Sequence, residues 1–407
     1  MLRKFSADYV FPVTSPPIKN GVVVTDEKGK ILEIASPPNP LSTDRNRDRH
    51  GEGEAQHYRG IIIPGFVNAH CHLELSFLKK KIAEHKGLDE FILAIETLRN
   101  ASEAEIISAA EGADEEMFRE GIVAVGDISN KNLSFGIKAK SKILYHTFIE
   151  VFGFHPSREE SAFEQGKLLE QELAQQCSMF NAQCSITPHA PYSASVELLN
   201  KIREHAEENN SVLTIHNQET EDENNLFLNK SGKILERMQK FGIDTSLFKP
   251  TGKKSLASML PHLPEKNKIQ FVHNTLTTAE EIDEAIRYNP NLFWCFCPNA
   301  NLYIESRLPD IKMFYNKKLK CTIGTDSLAS NHQLSMLEEI KTIQNNFPEI
   351  PLEEIIRWAT LNGAELLAFD KSLGSIEKNK TPGLVHISNV DLKTMRLSKV
   401  SKATRLI

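Results

Sequence analysis

Eight short apolar runs, each followed by a stretch in which apolar residues recur at helical spacing, set the strongest limit on how this chain folds. The runs fall at 60–68, 121–128, 142–151, 183–187, 212–216, 268–273, 292–297 and 321–324. Strands that alternate with helices imply parallel βαβ units, because a parallel pair needs a crossover long enough to hold a helix. Helices are expected over 193–210, 277–289, 334–346 and 352–369. Another is opened by the capping pattern Ser102-Glu103-Ala104-Glu105 and stopped by Gly121. Eight such units suit a closed (β/α)8 TIM barrel, an α/β fold, better than an open doubly wound sheet. No Gly-rich dinucleotide fingerprint follows the first strand to argue for the open form.

The two ends of the chain follow another pattern. Residues 19–26 and 29–36 carry β-branched runs on either side of Glu27-Lys28 and predict a hairpin. The polar segment 37–59 reads as loop, and the tail 375–407 again reads as short strands, at 384–389 and near Arg405. Two β-rich ends flanking a barrel predict one small β-sandwich. The expected division is 1–59 for its N-terminal part, 60–371 for the barrel and 372–407 for its C-terminal part.

Composition narrows the function classes. Among 407 residues, 48 basic against 54 acidic side chains leave a net charge of −6, so no nucleic-acid partner is expected. No run approaches the roughly 18 consecutive apolar residues of a bilayer span, and the opening MLRKFSADYVF does not read as a signal peptide. Six cysteines in so long a chain do not make a disulfide framework. Cys71, Cys295 and Cys321 lie within apolar runs, as buried thiols do, and the cytoplasm is the expected location. A homo-oligomer is left open.

Polar residues gather where a parallel barrel keeps its chemistry, at the C-terminal ends of the strands. The first run leads into Asn68-Ala69-His70-Cys71-His72, the fourth into Pro188-His189, the fifth ends at His216, the sixth at His273, and the eighth leads to Asp326. His70 and His72 share one face of an extended strand end. A His-x-His pair alone is commonplace. His216 and Asp326 add a third nitrogen and a carboxylate oxygen, a donor set that suits one divalent cation, zinc foremost with iron as the alternative. Gly252-Lys253-Lys254-Ser255 lacks the upstream glycine and preceding strand of a phosphate loop. The segment 242–268 exceeds the usual connection length, as a lid or a subunit contact would.

Pro64-Gly65-Phe66-Val67-Asn68-Ala69-His70-Cys71-His72 resembles the opening motif of the amidohydrolase superfamily. His216-Asn217-Gln218-Glu219 is similar to the His-x-x-Glu of its deaminase branch. Phe271-Val272-His273-Asn274 and Gly324-Thr325-Asp326-Ser327 resemble its sixth- and eighth-strand motifs. Cys297-Pro298-Asn299-Ala300-Asn301-Leu302 resembles a segment of the branch that holds S-adenosylhomocysteine, guanine and aminofutalosine deaminases and triazine chlorohydrolases. The resemblance covers nearly the whole chain. It implies one cation held by His70, His72, His216 and Asp326, with Glu219, His273 and Asp326 as catalytic groups. It also implies substrate contacts from His189, Glu74, Asn301 and Ser327. Binuclear members carry a strand-four lysine, which Cys184-Ser185-Ile186-Thr187-Pro188-His189 lacks, so a single metal is implied. The tail Asn379-Lys380-Thr381-Pro382-Gly383 departs from the Gly-Lys-x-Ala-Asp common among relatives.

The implied reaction is deamination of a small molecule, a purine-like or other cyclic amidine, by a water activated on the cation, with aminofutalosine or an adenosine-type nucleoside favoured. The alternatives are a chlorohydrolase or amidase acting on another heterocycle, and an inactive barrel that serves as a binding protein. Two readings stay open at single residues. His189 either meets substrate or caps the helix beginning near Ser193. Glu74 either meets substrate or supports a ligand histidine, as Asp127 also would.

Overall fold

The computed structural model describes residues 2–35, 55–98, 100–177 and 183–407. The chain opens with β1 (Arg3–Val10), β2 (Ile18–Lys19), β3 (Val22–Thr25) and β4 (Ile31–Ala35). β3 and β4 form the expected hairpin, with Val22 opposite Ala35. Its turn is held by the Asp26 carboxylate, which accepts the N–H groups of Lys28 and Lys30 at 2.9 Å each. Of the segment read as loop, 37–54 lies outside the described residues, and its end is not loop, because β5 (Gln56–Pro64) already begins there.

The first apolar run is thus two strands, β5 and β6 (Phe66–Cys71), and the predicted single strand 60–68 is corrected. The residues on either side of Gly65 are equally buried, so hydrophobicity carries no mark of the break. The Pro64-Gly65 pair supplies it. A Cβ on Gly65 would stand 2.3 Å from Val123 Cγ1 and 2.8 Å from the Pro382 carbonyl oxygen, so only glycine lets the chain pass.

Then follow β7 (Ile122–Ser129), β8 (Leu144–Val151), β9 (Gln183–Pro188), β10 (Leu213–Asn217), β11 (Ile269–His273), β12 (Leu292–Phe296) and β13 (Cys321–Ile323). They form two four-stranded sheets, β6-β7-β8-β9 and β10-β11-β12-β13, with parallel pairing from β7 to β9 and from β10 to β13. Every residue of β10, β11 and β12 is buried, which explains why these strands read as continuous apolar runs rather than alternating ones. The edge strands of the two sheets touch. Ser185 Oγ donates to the Val212 carbonyl at 2.6 Å, and Thr187 Oγ1 accepts the Thr214 N–H at 3.1 Å. At the other edge, Thr325 and Asp326 donate their N–H groups to the His70 carbonyl, each at 3.1 Å.

The intervening helices begin at polar caps. Ser102 Oγ accepts the Glu105 N–H at the start of Glu103–Arg119, and Thr278 with Glu281 makes a capping box for Ala279–Tyr288. The helix expected from 193 begins at Val196 and is capped by Ser195, whose Oγ accepts the Leu198 N–H at 3.1 Å. His189 is therefore not its cap. Phe271 on β11, Trp294 and Phe296 on β12, and Phe314 pack their rings in the series Phe271, Trp294, Phe314, Phe296 at centroid separations of 5.3, 5.3 and 5.1 Å, which stiffens these strands.

The chain closes with β14 (Leu384–Asp391) and β15 (Arg396–Arg405), an antiparallel pair. These strands join the N-terminal ones in a single seven-stranded sheet of order β15-β14-β5-β1-β3-β4, with β2 beside β1. Phe5, Val10, Val23, Ile31, Ile62 and Leu384 form its core. By compactness the chain divides into Met1–Val67, Met117–Val123 and Ser335–Ile407 as one unit, and Asn68–Glu116 and Ala124–Leu334 as the other. Among the described residues no helix is long and apolar enough to cross a membrane.

Candidate metal and active site

Three strand ends of the second unit bring the four predicted ligands together. His70 and His72 sit at the end of β6, His216 on β10 and Asp326 just beyond β13. The Nε2 atoms of His70 and His72 lie 3.2 Å apart, and those of His72 and His216 3.3 Å apart. Asp326 Oδ1 stands 3.7 Å from His70 Nε2 and 3.5 Å from His72 Nε2. All four side chains are buried. The backbone is strained where these residues turn inward: Gln218, His273, Asn274 and Asp326 hold positive φ of 47°, 71°, 56° and 56°. Non-glycine residues adopt that region at a cost, and a cluster of them at strand ends marks a site whose geometry outranks local comfort.

The donor chemistry fits a divalent cation. His216 Nδ1 lies 2.8 Å from the His189 carbonyl, which can only accept. Nδ1 therefore carries the proton, and Nε2 turns a lone pair toward the other rings. Burial pushes the imidazoles of His70, His72 and His216 below their ordinary value, to about 4 for His72, so the rings are neutral. Burial would raise the carboxyl of Asp326, but the imidazoles of His70, His72 and His273 beside it outweigh that and hold it below the usual carboxylate range. Ser330 Oγ donates to the other oxygen, Oδ2, at 2.6 Å. Three neutral nitrogens crowded to within 3.3 Å of a neighbour beside a carboxylate repel one another unless a cation lies among them.

Glu219 and His273 face each other beside this cluster, Glu219 Oε1 lying 3.7 Å from His273 Nε2. Burial, then the charges of Asp326 and Glu305, raise the Glu219 carboxyl to about 8, so it holds a proton at neutral pH. Asn301 Nδ2 donates to Thr275 Oγ1 at 2.8 Å, which turns its Oδ1 toward His273 Nδ1 at 3.4 Å. His273 then presents Nε2 to the site.

A cavity of about 910 Å³ opens over these groups, and His72, His216, Glu219, His273 and Asp326 all line it. His189 and Ser327 line it as well. Two predicted substrate contacts lie elsewhere: Asn301 is behind His273, and the Glu74 carboxylate accepts from Ser134 Oγ at 3.1 Å and from the N–H groups of Asn130 and Lys131 at 3.3 Å each. Burial raises Glu74 to about 7. Of the segment 242–268, Gly242, Ile243 and Asp244 form part of the cavity wall.

Glu150, on β8, was missed. Its Oε1 meets His189 Nδ1 at 2.6 Å and its Oε2 accepts from Asn130 Nδ2 at 2.8 Å. Burial would raise it, but the charge and hydrogen bond of His189 bring it down to about 2. The Glu150 charge lifts His189 in turn against its own burial. Glu150, His189 and His216 are close enough to suggest a second cation site. The hydrogen bonds already made by His216 Nδ1 and His189 Nδ1 make that trio an ion pair and a tautomer lock instead. The strand-end rule that found the histidines points to Glu150 equally, since it is the penultimate residue of β8.

The chain is similar to known proteins in sequence and in fold. A model of the amidohydrolase family matches residues 61–405. Adenosine deaminase of Helicobacter pylori is 26% identical over 332 residues, 80% of this chain and 78% of that protein. The 5'-deoxyadenosine deaminase of Methanobrevibacter smithii is 26% identical over 396 residues, 92% of this chain and 81% of that protein. The crystal structure of Helicobacter pylori aminofutalosine deaminase in complex with methylthio-coformycin matches with a TM-score of 0.79 at 22% identity, covering 100% of both chains.

Proposed function

The chain belongs to the amidohydrolase family, and on that premise we propose that it is a metal-dependent hydrolase that deaminates a purine-like ring and releases ammonia. An adenosine-type or aminofutalosine-like nucleoside is the favoured substrate, by similarity to relatives named for such reactions. The observation that carries the reading is the convergence of three neutral imidazoles, an ionised Asp326 and a protonated Glu219 on one cavity.

His70, His72, His216 and Asp326 would hold one divalent ion, zinc before iron given three nitrogens and one oxygen. That ion supplies Lewis acidity, which lowers the pKa of a water to about 7. Asp326, braced by Ser330, accepts a proton from the attacking water. Glu219 gives its proton to the ring nitrogen next to the attacked carbon. The exocyclic carbon–nitrogen bond then breaks as the amine leaves as ammonia with the proton from Asp326, while the hydroxyl on that carbon returns its proton to Glu219 and becomes the carbonyl. His273 orients the water through Nε2. His189 and Ser327 face the substrate from the cavity wall, whereas Glu74 and Asn301 act through the backbone and side chains they hold.

The two four-stranded sheets are read as halves of one closed (β/α)8 barrel, supported by hydrogen bonds along both facing edges. The seven-stranded sheet is read as a small sandwich built from both chain ends, supported by its shared apolar core. The working domain bounds are 1–59, 60–371 and 372–407, with β5 carrying the first of them forward to Pro64. Buried thiols such as Cys71 and Cys295 suit a reducing cytoplasm.

Ammonia release across adenosine, 5'-substituted adenosines, guanine and aminated triazines tests the reading. We expect turnover of a purine nucleoside that falls about 10²–10⁴-fold in Glu219→Gln, with metal content unchanged, and that vanishes together with the metal in Asp326→Ala. Silence on every aminated ring would sink deamination, and chloride release from a chlorotriazine would move the assignment to the second leaving group.

A further inference from the structure

Next to the histidine cluster lies a charge pair that the proposed chemistry does not use. Lys138 ends the helical turn Phe135–Lys138, and its side chain and that of Asp127 on β7 are both wholly enclosed. Its Nζ meets Asp127 Oδ2 at 2.6 Å and donates to Ser129 Oγ at 2.8 Å and Thr147 Oγ1 at 3.2 Å. An ammonium has three protons, and this one has three acceptors. The remaining oxygen, Asp127 Oδ1, accepts the backbone N–H of Leu73 at 2.7 Å. Asp127 does not support a ligand ring directly, since its oxygens serve Leu73, Lys138 and Ser129.

Leu73 follows His72, at the point where β6 has ended and the turn Leu73–Leu78 begins. His72 itself, at φ −121° and ψ 83°, continues neither element. On the near side the His70 carbonyl is fixed by the N–H groups of Thr325 and Asp326. On the far side the chain is fixed by Asp127 at Leu73, and the same β7–β8 connection grips Glu74 through Ser134. Enclosing an ion pair gains little stability over an apolar pair of equal volume. What it does provide is a carboxylate whose direction is set by three other groups, the Lys138 ammonium, the Ser129 hydroxyl and the Leu73 N–H.

We propose that Asp127 and Lys138 are positioning residues: together they fix the backbone after His72 and thereby aim its imidazole at the cation. The inference rests on reading the histidine cluster as a cation site. The Leu73 N–H needs an acceptor in that place, and Lys138 keeps the acceptor there.

Zinc affinity, measured by competition with a chromogenic chelator, tests this on two double variants whose folding is checked by thermal melts of the metal-free proteins. Asp127→Leu with Lys138→Met removes the acceptor and keeps an apolar volume. Asp127→Asn with Lys138→Met removes both charges and keeps an oxygen facing Leu73. The first is expected to lose roughly 10–100-fold in zinc affinity, and the second, which keeps an oxygen but not the Lys138 that holds it, to lose a smaller but measurable part of that. A purely structural pair would lower the melting temperature and leave the zinc affinity of folded protein unmoved. Equal affinity in a folded Leu/Met variant therefore overturns the proposal. Should that variant not fold, the Asn/Met protein decides: parent-like affinity there, with no Lys138 to hold the oxygen, overturns the proposal. A parent protein that takes up no zinc sinks the cation reading itself, an outcome distinct from both.

Discussion

Glu219 and Glu223 stand four residues apart, and burial raises both, to about 8 and about 7. Their tasks differ. Glu219 faces the cavity, whereas Glu223 turns inward and accepts the N–H groups of Gln218 at 2.8 Å and Glu219 at 3.4 Å. Glu223 thus holds the strained turn that presents Glu219. In the unfolded chain its carboxyl returns to about 4.5. Between pH 4.5 and about 7 the folded form keeps a proton that the unfolded form releases, so stability falls as pH rises through that window and levels off above it. The fall amounts to at most about 3 kcal/mol. Glu223→Gln removes that slope, and thermal melts should show the variant gaining on the parent at pH 8 with little difference at pH 5. A parallel pair of melting curves across that range would show Glu223 to be ionised in the fold.

At the scale of elements, the site is made by strand ends pressed together. Gly324 follows β13, and a Cβ there would stand 2.7 Å from His70 Cβ, 2.8 Å from the His70 carbonyl oxygen and 3.0 Å from Cys297 Sγ. Contacts that short cannot be absorbed without moving the end of β6. Gly324→Ala is expected to cost about 1–3 kcal/mol through overpacking and to weaken zinc binding about tenfold or more by displacing His70. Chelator competition on the folded variant checks it, and unchanged affinity would mean that β6 yields without carrying its histidines. The helices behind the strands are positioned by side chains in the same way: Glu281 caps Ala279–Tyr288 through Thr278 and also accepts Gln218 Nε2 at 2.6 Å, tying a helix start to the turn before Glu219.

For the molecule as a whole, a cation held by the four groups from β6, β10 and the end of β13 would link segments more than 250 residues apart in sequence, as from His70 to Asp326. A ligand that binds only the folded form stabilises it by mass action, by about 4 kcal/mol when present at 1,000 times its dissociation constant. Stripping the protein with a chelator should lower Tm by several degrees, and added zinc should restore it. A Tm indifferent to both would show the cluster to be without a cation in solution.

The residues that gather at the candidate site were legible in the sequence because strand ends are marked locally: an apolar run stops, and a histidine or aspartate stands at the stop, as at His70, His216, His273 and Asp326. The alternation of strand and helix was legible for the same reason, since each period is a property of a few neighbouring residues. The break between β5 and β6 was not, because the residues on either side of Gly65 are equally buried and that glycine answers to Val123 and Pro382, far away in the chain. Nor was the position of Glu74, whose carboxylate is turned by the residues it meets on the β7–β8 connection. Lys138 gave no sign at all, for a lysine looks the same in sequence whether it reaches water or an enclosed carboxylate. Which residues line up along the chain is a local matter of period and volume, and the sequence determined it. Which polar groups are buried, and against what, depends on long-range contacts, and only the tertiary structure decided it.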